Sequence, residues 1–162
     1  MRLVPAHLRN FVFGVEDSLV STVGLLSGIA IAGVERETIF LTGVVLVFVE
    51  AVSMAAGSFL SEVSAEEYEG GRGVGQRQSL FSGLIMFGSY LIAGFIPIFP
   101  YTFLEGTRAF ASSIMLSVAA LFVLGAWSGV LSRSGLIRGA LRMAVVGGVA
   151  IAVGVGVGTF IS

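Results

Sequence analysis

Apolar residues run along this chain in five long blocks, Phe11–Gly33, Thr38–Ser61, Leu80–Tyr101, Ala109–Leu131 and Met143–Ile161, separated by short polar stretches. The blocks hold 23, 24, 22, 23 and 19 residues, and about 20 suffice for a helix to cross a hydrocarbon core. Each block is continuously apolar, without inside/outside alternation, which predicts helices rather than the strands of a barrel. The connections at Val34–Glu37, Glu62–Ser79, Thr102–Arg108 and Ser132–Arg142 are short. Successive helices therefore run up and down as neighbours, with no room for a soluble domain. The expected architecture is all-α: one transmembrane domain over residues 1–162, built from five transmembrane helices.

Composition agrees with the pattern. Hydrophobic residues make up 56% and charged residues 12%, about half the charge of an ordinary globular domain, and the mean hydropathy is +0.99. A cytosolic enzyme and a nucleic-acid binder are excluded, and a net charge of −1 offers nothing to a polyanion. With no Cys and a single His, His7, neither Cys/His zinc sites nor disulfides can form.

All nine basic residues are Arg, and they divide unevenly between the two ends of the predicted helices. Arg2, Arg9, Arg72, Arg77, Arg133, Arg138 and Arg142 share one end, and Arg36 and Arg108 the other. Because basic residues accumulate on the cytoplasmic side, the N-terminus is expected in the cytoplasm and the C-terminus outside. Arg2, Arg9 and the first block, with Ala30-Ile31-Ala32 behind it, have the outline of a signal peptide. The block is too long for that and carries Glu16 and Asp17, so it is expected to stay as a membrane helix.

Of nineteen charges, only Glu16, Asp17 and Glu50 fall inside the blocks. A carboxylate in a membrane span costs several kcal/mol unless it is protonated, paired or bound to a cation. Glu16 lies five residues inside its block and is expected to reach the headgroup region. Asp17 belongs to a spacing of small or polar residues, Gly14, Asp17, Ser21, Gly24 and Gly28, that predicts a packing seam, with Gly24 and Gly28 forming a GxxxG pair. In the second block Glu50, Met54, Gly57 and Ser61 share a face, with Gly57 another close-packing position.

Helical rise places Asp17 about 9 Å and Met54 about 10 Å from the cytoplasmic end, with Glu50 about 6 Å deeper than Met54. Two antiparallel neighbours would then gather Asp17, Met54 and Glu50 around one point. Carboxylates with a thioether suit Fe²⁺, Mn²⁺ or Co²⁺ better than Ca²⁺ or Mg²⁺. Metal binding to such carboxylates releases protons, so Asp17 and Glu50 are also the candidates for proton coupling. Past the second block Glu62, Glu66 and Glu69 fall on one helix face, where they would either draw cations to the cytoplasmic mouth or simply be solvated. Pro97 and Pro100 should break the third helix near the outer surface.

The segment from Asn10 through Gly14, Glu16, Asp17, Ser21 and Gly24 to Gly28 resembles the first helix of the vacuolar iron transporter family. Ser53-Met54-Ala55-Ala56-Gly57 resembles that family's second-helix motif, and Ile96-Pro97-Ile98-Phe99-Pro100-Tyr101 its third-helix exit. The resemblance implies a homodimer that moves ferrous iron or manganese out of the cytoplasm in exchange for protons. It implies a pathway along the dimer interface, with Asp17 and Met54 in the matching lining positions. No tightly bound cofactor is implied: Fe²⁺ and Mn²⁺, with Co²⁺ and Zn²⁺ as further candidates, are cargo. The implied home is the plasma membrane of a prokaryote, or a vacuolar membrane if the chain is eukaryotic.

Two departures are visible. The long helical metal-binding domain that many members carry between the second and third helices is reduced here to Glu62–Ser79, and Ser58-Phe59 stands where many have Glu-Tyr. The competing reading is a non-transporting membrane interaction protein whose carboxylates only bond helices together. An intramembrane hydrolase is disfavoured, because the only His lies outside the blocks.

Overall fold

The computed structural model describes residues 4–68, 70, 75–133 and 135–161. It consists of α1 (Val4–Ile31), α2 (Arg36–Tyr68), α3 (Gln76–Ile98), the single turn α4 (Pro100–Phe103), α5 (Gly106–Leu131) and α6 (Leu136–Ile161), with no strand among the described residues. All but α4 are long and apolar enough to cross a membrane. The protein is an α-helical integral membrane protein with five such helices among the described residues.

The helices overrun the apolar blocks because hydropathy marks membrane depth, whereas capping marks helix ends. α6 starts at Leu136, seven residues before the apolar run, and carries Arg138 and Arg142 on its first two turns. α2 has 33 residues, about 50 Å of helix against a core of about 30 Å, so its Glu-rich end continues as helix to Tyr68. α1 stops where Gly33 adopts φ 78°. There the Gly33 N–H reaches the Ala30 carbonyl at 3.2 Å and the Val34 N–H the Ile29 carbonyl at 3.3 Å. This is a Schellman closure, which needs a residue without a Cβ penalty at that position.

The two prolines act differently from the expected pair of breaks. Pro97 lies inside α3 and is tolerated there, its carbonyl accepting the Ser113 hydroxyl at 2.7 Å. Pro100 instead opens α4, where a missing N–H costs nothing. The path through Phe99 keeps helical angles, and the chain becomes extended only at Leu104.

α1 is the centre of the bundle, lying between α3 and α6, which run parallel to it; α2 flanks α3 and α5 flanks α6, both antiparallel. Two clusters pack around α1. Leu26 meets Ile39, Val47, Ile98 and Tyr101 towards one end, and Leu19 meets Ala93, Leu121, Leu124 and Met143 nearer the other. Glycines set the closest approaches. Gly24 and Gly28 face Ala150, Gly154 and Gly158 of α6, and Gly125 and Gly129 of α5 face Gly135, Gly139 and Ala140. The outward faces of α2 (Leu41, Val45, Val49, Val52) and α6 (Val145, Val149, Val153, Val157) are exposed and apolar. Surfaces of that kind belong in lipid rather than water.

Candidate functional site

Asp17 is half-buried on α1, and the residues beside it are tied to α3. Ser18, fully buried, donates to the Tyr90 carbonyl at 2.6 Å, and the Ser21 and Tyr90 hydroxyls are 2.7 Å apart. Glu50 is half-buried on α2. Asp17 and Glu50 lie within electrostatic range of each other, and both act on the Tyr90 hydroxyl. Three helices thus bring two carboxylates and a phenol to one level of the bundle. The small-residue seam of α1 divides between two neighbours. Gly14 and Ser21 meet α3, whereas Gly24 and Gly28 meet α6.

Met54 is one turn from Glu50 on α2, towards the arginine-rich end. It lines a cleft of about 530 Å³ together with Asn10 and Phe13 of α1, Ser58 of α2 and Met86 of α3; neither Asp17 nor Glu50 lines it. Asp17 is seven residues beyond Asn10 on α1, about 10 Å along the axis. Glu50 is one turn beyond Met54 on α2, about 6 Å. Ser58, one turn from Met54 towards the arginine-rich end, is the α2 residue that meets Asn10, so Met54 lies between the Asn10 level and Glu50.

The acidic end of α2 is also divided. Glu62 accepts a hydrogen bond from the Asn10 amide at 3.3 Å, and the same amide donates to Ser58 at 3.1 Å. Glu66 accepts from the Gly75 N–H at 3.0 Å and so anchors the connection to α3. Glu67 is exposed, and Glu69 lies outside the described residues. Gly57 is exposed, and a Cβ there would meet nothing within 4 Å. Among the described residues of the protomer no other helix packs over it. Glu16 points to the other side of α1, into a cleft with Ser128 of α5, and lies within electrostatic range of Arg142.

Sequence reasoning passed over Asn10, Met86 and Tyr90. Tyr90 carried a weak signal, as the only tyrosine in the interior of an apolar block. Met86 carried none, because methionine in an apolar helix is ordinary packing. Among the described residues no three His, Cys, Asp or Glu side chains come close enough to share a metal ion.

Five apolar helices with two carboxylates part-way along them define a polytopic membrane protein. The sequence profile of the VIT family matches residues 8–80 and 72–159, and the chain belongs to that family. The two matched segments overlap at the α2–α3 connection. Curated relatives agree. Vacuolar iron transporter homolog 4 of Arabidopsis thaliana is 27% identical over 158 residues, covering 90% of this chain and 79% of the relative. Homolog 3 of the same plant is 26% identical over 160 residues, covering 90% and 78%. Homolog 5 of Oryza sativa subsp. japonica is 28% identical over 153 residues, covering 87% and 73%. Family and relatives support metal-ion transport across a membrane and are consistent with the absence of enzymatic activity. They lend no support to a prokaryotic plasma membrane in particular.

Proposed function

We propose that this protein is a proton-coupled antiporter that moves ferrous iron, manganese or both out of the cytoplasm through a pathway at a homodimer interface. The observation that carries the reading is a pair of half-buried carboxylates, Asp17 and Glu50, with no basic partner among the described residues. The one ion pair among the described residues joins Arg36 and Glu105, 4.0 Å apart, at the opposite end of the bundle. An unpaired Asp at membrane depth costs about 2.5–3.5 kcal/mol, and two that repel each other cost more. Mobile cations must neutralise them. Two protons and one divalent metal carry the same charge, so exchanging them leaves the field at the site unchanged. That equivalence is the physical basis of antiport here.

The dimer is supported by what one protomer lacks. Two carboxylates are too few to hold a divalent metal that prefers six ligands, and a second copy doubles the set. Ser53 and Gly57 are left exposed beside Met54, on a face of α2 with nothing packed over Gly57. Orientation follows from the arginines, with the N-terminus in the cytoplasm and the thioether cleft at the cytoplasmic mouth.

Proteoliposomes with an imposed pH gradient test the reading, using Fe²⁺, Mn²⁺, Co²⁺ and Zn²⁺ in turn. Wild-type protein should move Fe²⁺ and Mn²⁺ with counterflow of protons. Asp17→Asn and Glu50→Gln should each lower the flux by about tenfold or more, as expected for loss of a charged ligand worth over 1.4 kcal/mol. Wild-type flux and proton coupling in both variants would overturn it.

A further inference from the structure

From Gly106 onwards the chain carries four Arg and no Asp or Glu. Three of the four, Arg133, Arg138 and Arg142, lie where α5 turns into α6, and all three are exposed. The acids at that end of the bundle sit elsewhere. Glu62, Glu66 and Glu67 belong to α2, on the far side of α1, and Glu62 and Glu66 already accept from Asn10 and the Gly75 N–H. Glu16 is the carboxylate that comes within electrostatic range, and it acts on Arg142. Three guanidiniums against one carboxylate leave two positive charges unbalanced among the described residues. Their surroundings face lipid. Leu136, Ile137, Leu141 and Val145 stand exposed around them. Trp127 of α5 meets Phe11 of α1 edge-on, both rings partly exposed, as aromatic side chains are at a membrane–water interface. Arg142 directly precedes Met143, which packs in one cluster with Leu19, so its backbone lies within the apolar layer and its guanidinium must reach back to the phosphates. Arg133 is held at φ 57°, a left-handed backbone that favours glycine.

We propose that the end of the α5–α6 hairpin binds an anionic phospholipid, its phosphate held between Arg138 and Arg142 and its acyl chains lying along Val145 and Val149 of α6. Arg138 and Arg142 are four residues apart on one exposed helix face, which brings their side chains within reach of a single phosphate. Guanidinium groups meet phosphate oxygens in a matching fork. Val145 and Val149 follow on the lipid-facing side, deeper in the apolar run, so charge and apolar surface succeed each other in the order in which a lipid presents phosphate and chains. A soluble phosphate would use the arginines and leave that apolar strip unused. Arg133, at the tip of the hairpin, adds a further positive charge nearer the water. The inference is independent of the transport reading.

Native mass spectrometry of the protein released from nanodiscs of equal phosphatidylglycerol and phosphatidylcholine tests the site by counting which lipid stays bound. Wild-type protein should retain phosphatidylglycerol in clear excess. Arg138→Gln and Arg142→Gln should each lower that excess about fivefold, the weight of one Arg beside an anionic surface, whereas Arg138→Lys should keep most of it. Arg108→Gln, at the other end of α5, is the control and should leave the excess unchanged. Arg142→Gln also takes a charge from beside Glu16; if it misfolds, Arg138→Gln decides alone. Equal retention of the two lipids by the wild type overturns the site, and so does a wild-type excess in Arg138→Gln or an equal loss in Arg108→Gln. Displacement of the lipid by inorganic phosphate would mark a site for soluble anions and overturn the assignment to lipid.

Discussion

Replacing Gly28 by alanine puts a methyl carbon 2.7 Å from the Gly154 carbonyl oxygen and 3.2 Å from the carbonyl carbon behind it. The shorter distance is about 0.7 Å inside the 3.4 Å at which ordinary contact begins. Both atoms belong to the α6 backbone, so no rotamer change relieves the overlap and the two helices must part. A gap of that size forfeits about a quarter to a half of the dispersion energy of each contact across the seam. The neighbouring contact, Gly24 against Ala150, loosens with it. Overpacking of this kind costs about 1–3 kcal/mol, against which alanine regains about 0.8–1 kcal/mol of helix propensity. Gly148→Ala on α6 is the control, because a Cβ there meets nothing within 4 Å and only the propensity term operates. The two variants should therefore differ by about 2 kcal/mol, or about 4–8 °C in melting temperature for a chain of this size. Thermal unfolding in detergent, followed by retention of the folded peak on size exclusion, measures the difference. If Gly28→Ala melted within about a degree of Gly148→Ala, close backbone approach at this seam would not be what holds α1 to α6.

Tyr90→Phe removes the hydroxyl paired with Ser21 at 2.7 Å and should cost only about 1 kcal/mol of stability, yet it should slow metal flux measurably because that hydroxyl lies within electrostatic range of both Asp17 and Glu50. Unchanged flux with lowered stability would make it a packing residue alone. Arg36→Ala breaks a bridge that is 4.0 Å long with an exposed Glu105 partner, so urea or thermal titration should register less than about 0.5 kcal/mol; a loss above about 1 kcal/mol would show the bridge to be a working latch. With Ser162→Cys introduced into this cysteine-free chain, an impermeant thiol reagent should label intact cells; labelling only after lysis would reverse the proposed topology.

Much of this protein was legible without its structure, for a definite reason. The cost of placing a group in hydrocarbon belongs to that group and the run of residues around it, so it is visible in one dimension. The five apolar blocks and the uneven arginines follow from that cost, and so does the conspicuousness of Asp17 and Glu50. Helix ends were less legible, since Arg138 and Arg142 leave a lipid environment without leaving the helix. The lining of the cleft beside Met54 was not legible. Which donors meet is decided by how closely and at what angle helices cross, and those depend on contacts such as Gly14 against Met86 and Gly83 against the Ala55 carbonyl. A glycine in the sequence announces that some backbone or side chain can approach, but not which one. Only the packed bundle puts Met54, Met86 and Asn10 on one cleft, brings Tyr90 within electrostatic range of Asp17 and Glu50 and leaves Gly57 without a neighbour in the protomer, because distance between helices is a property of the pair and not of either strand of sequence.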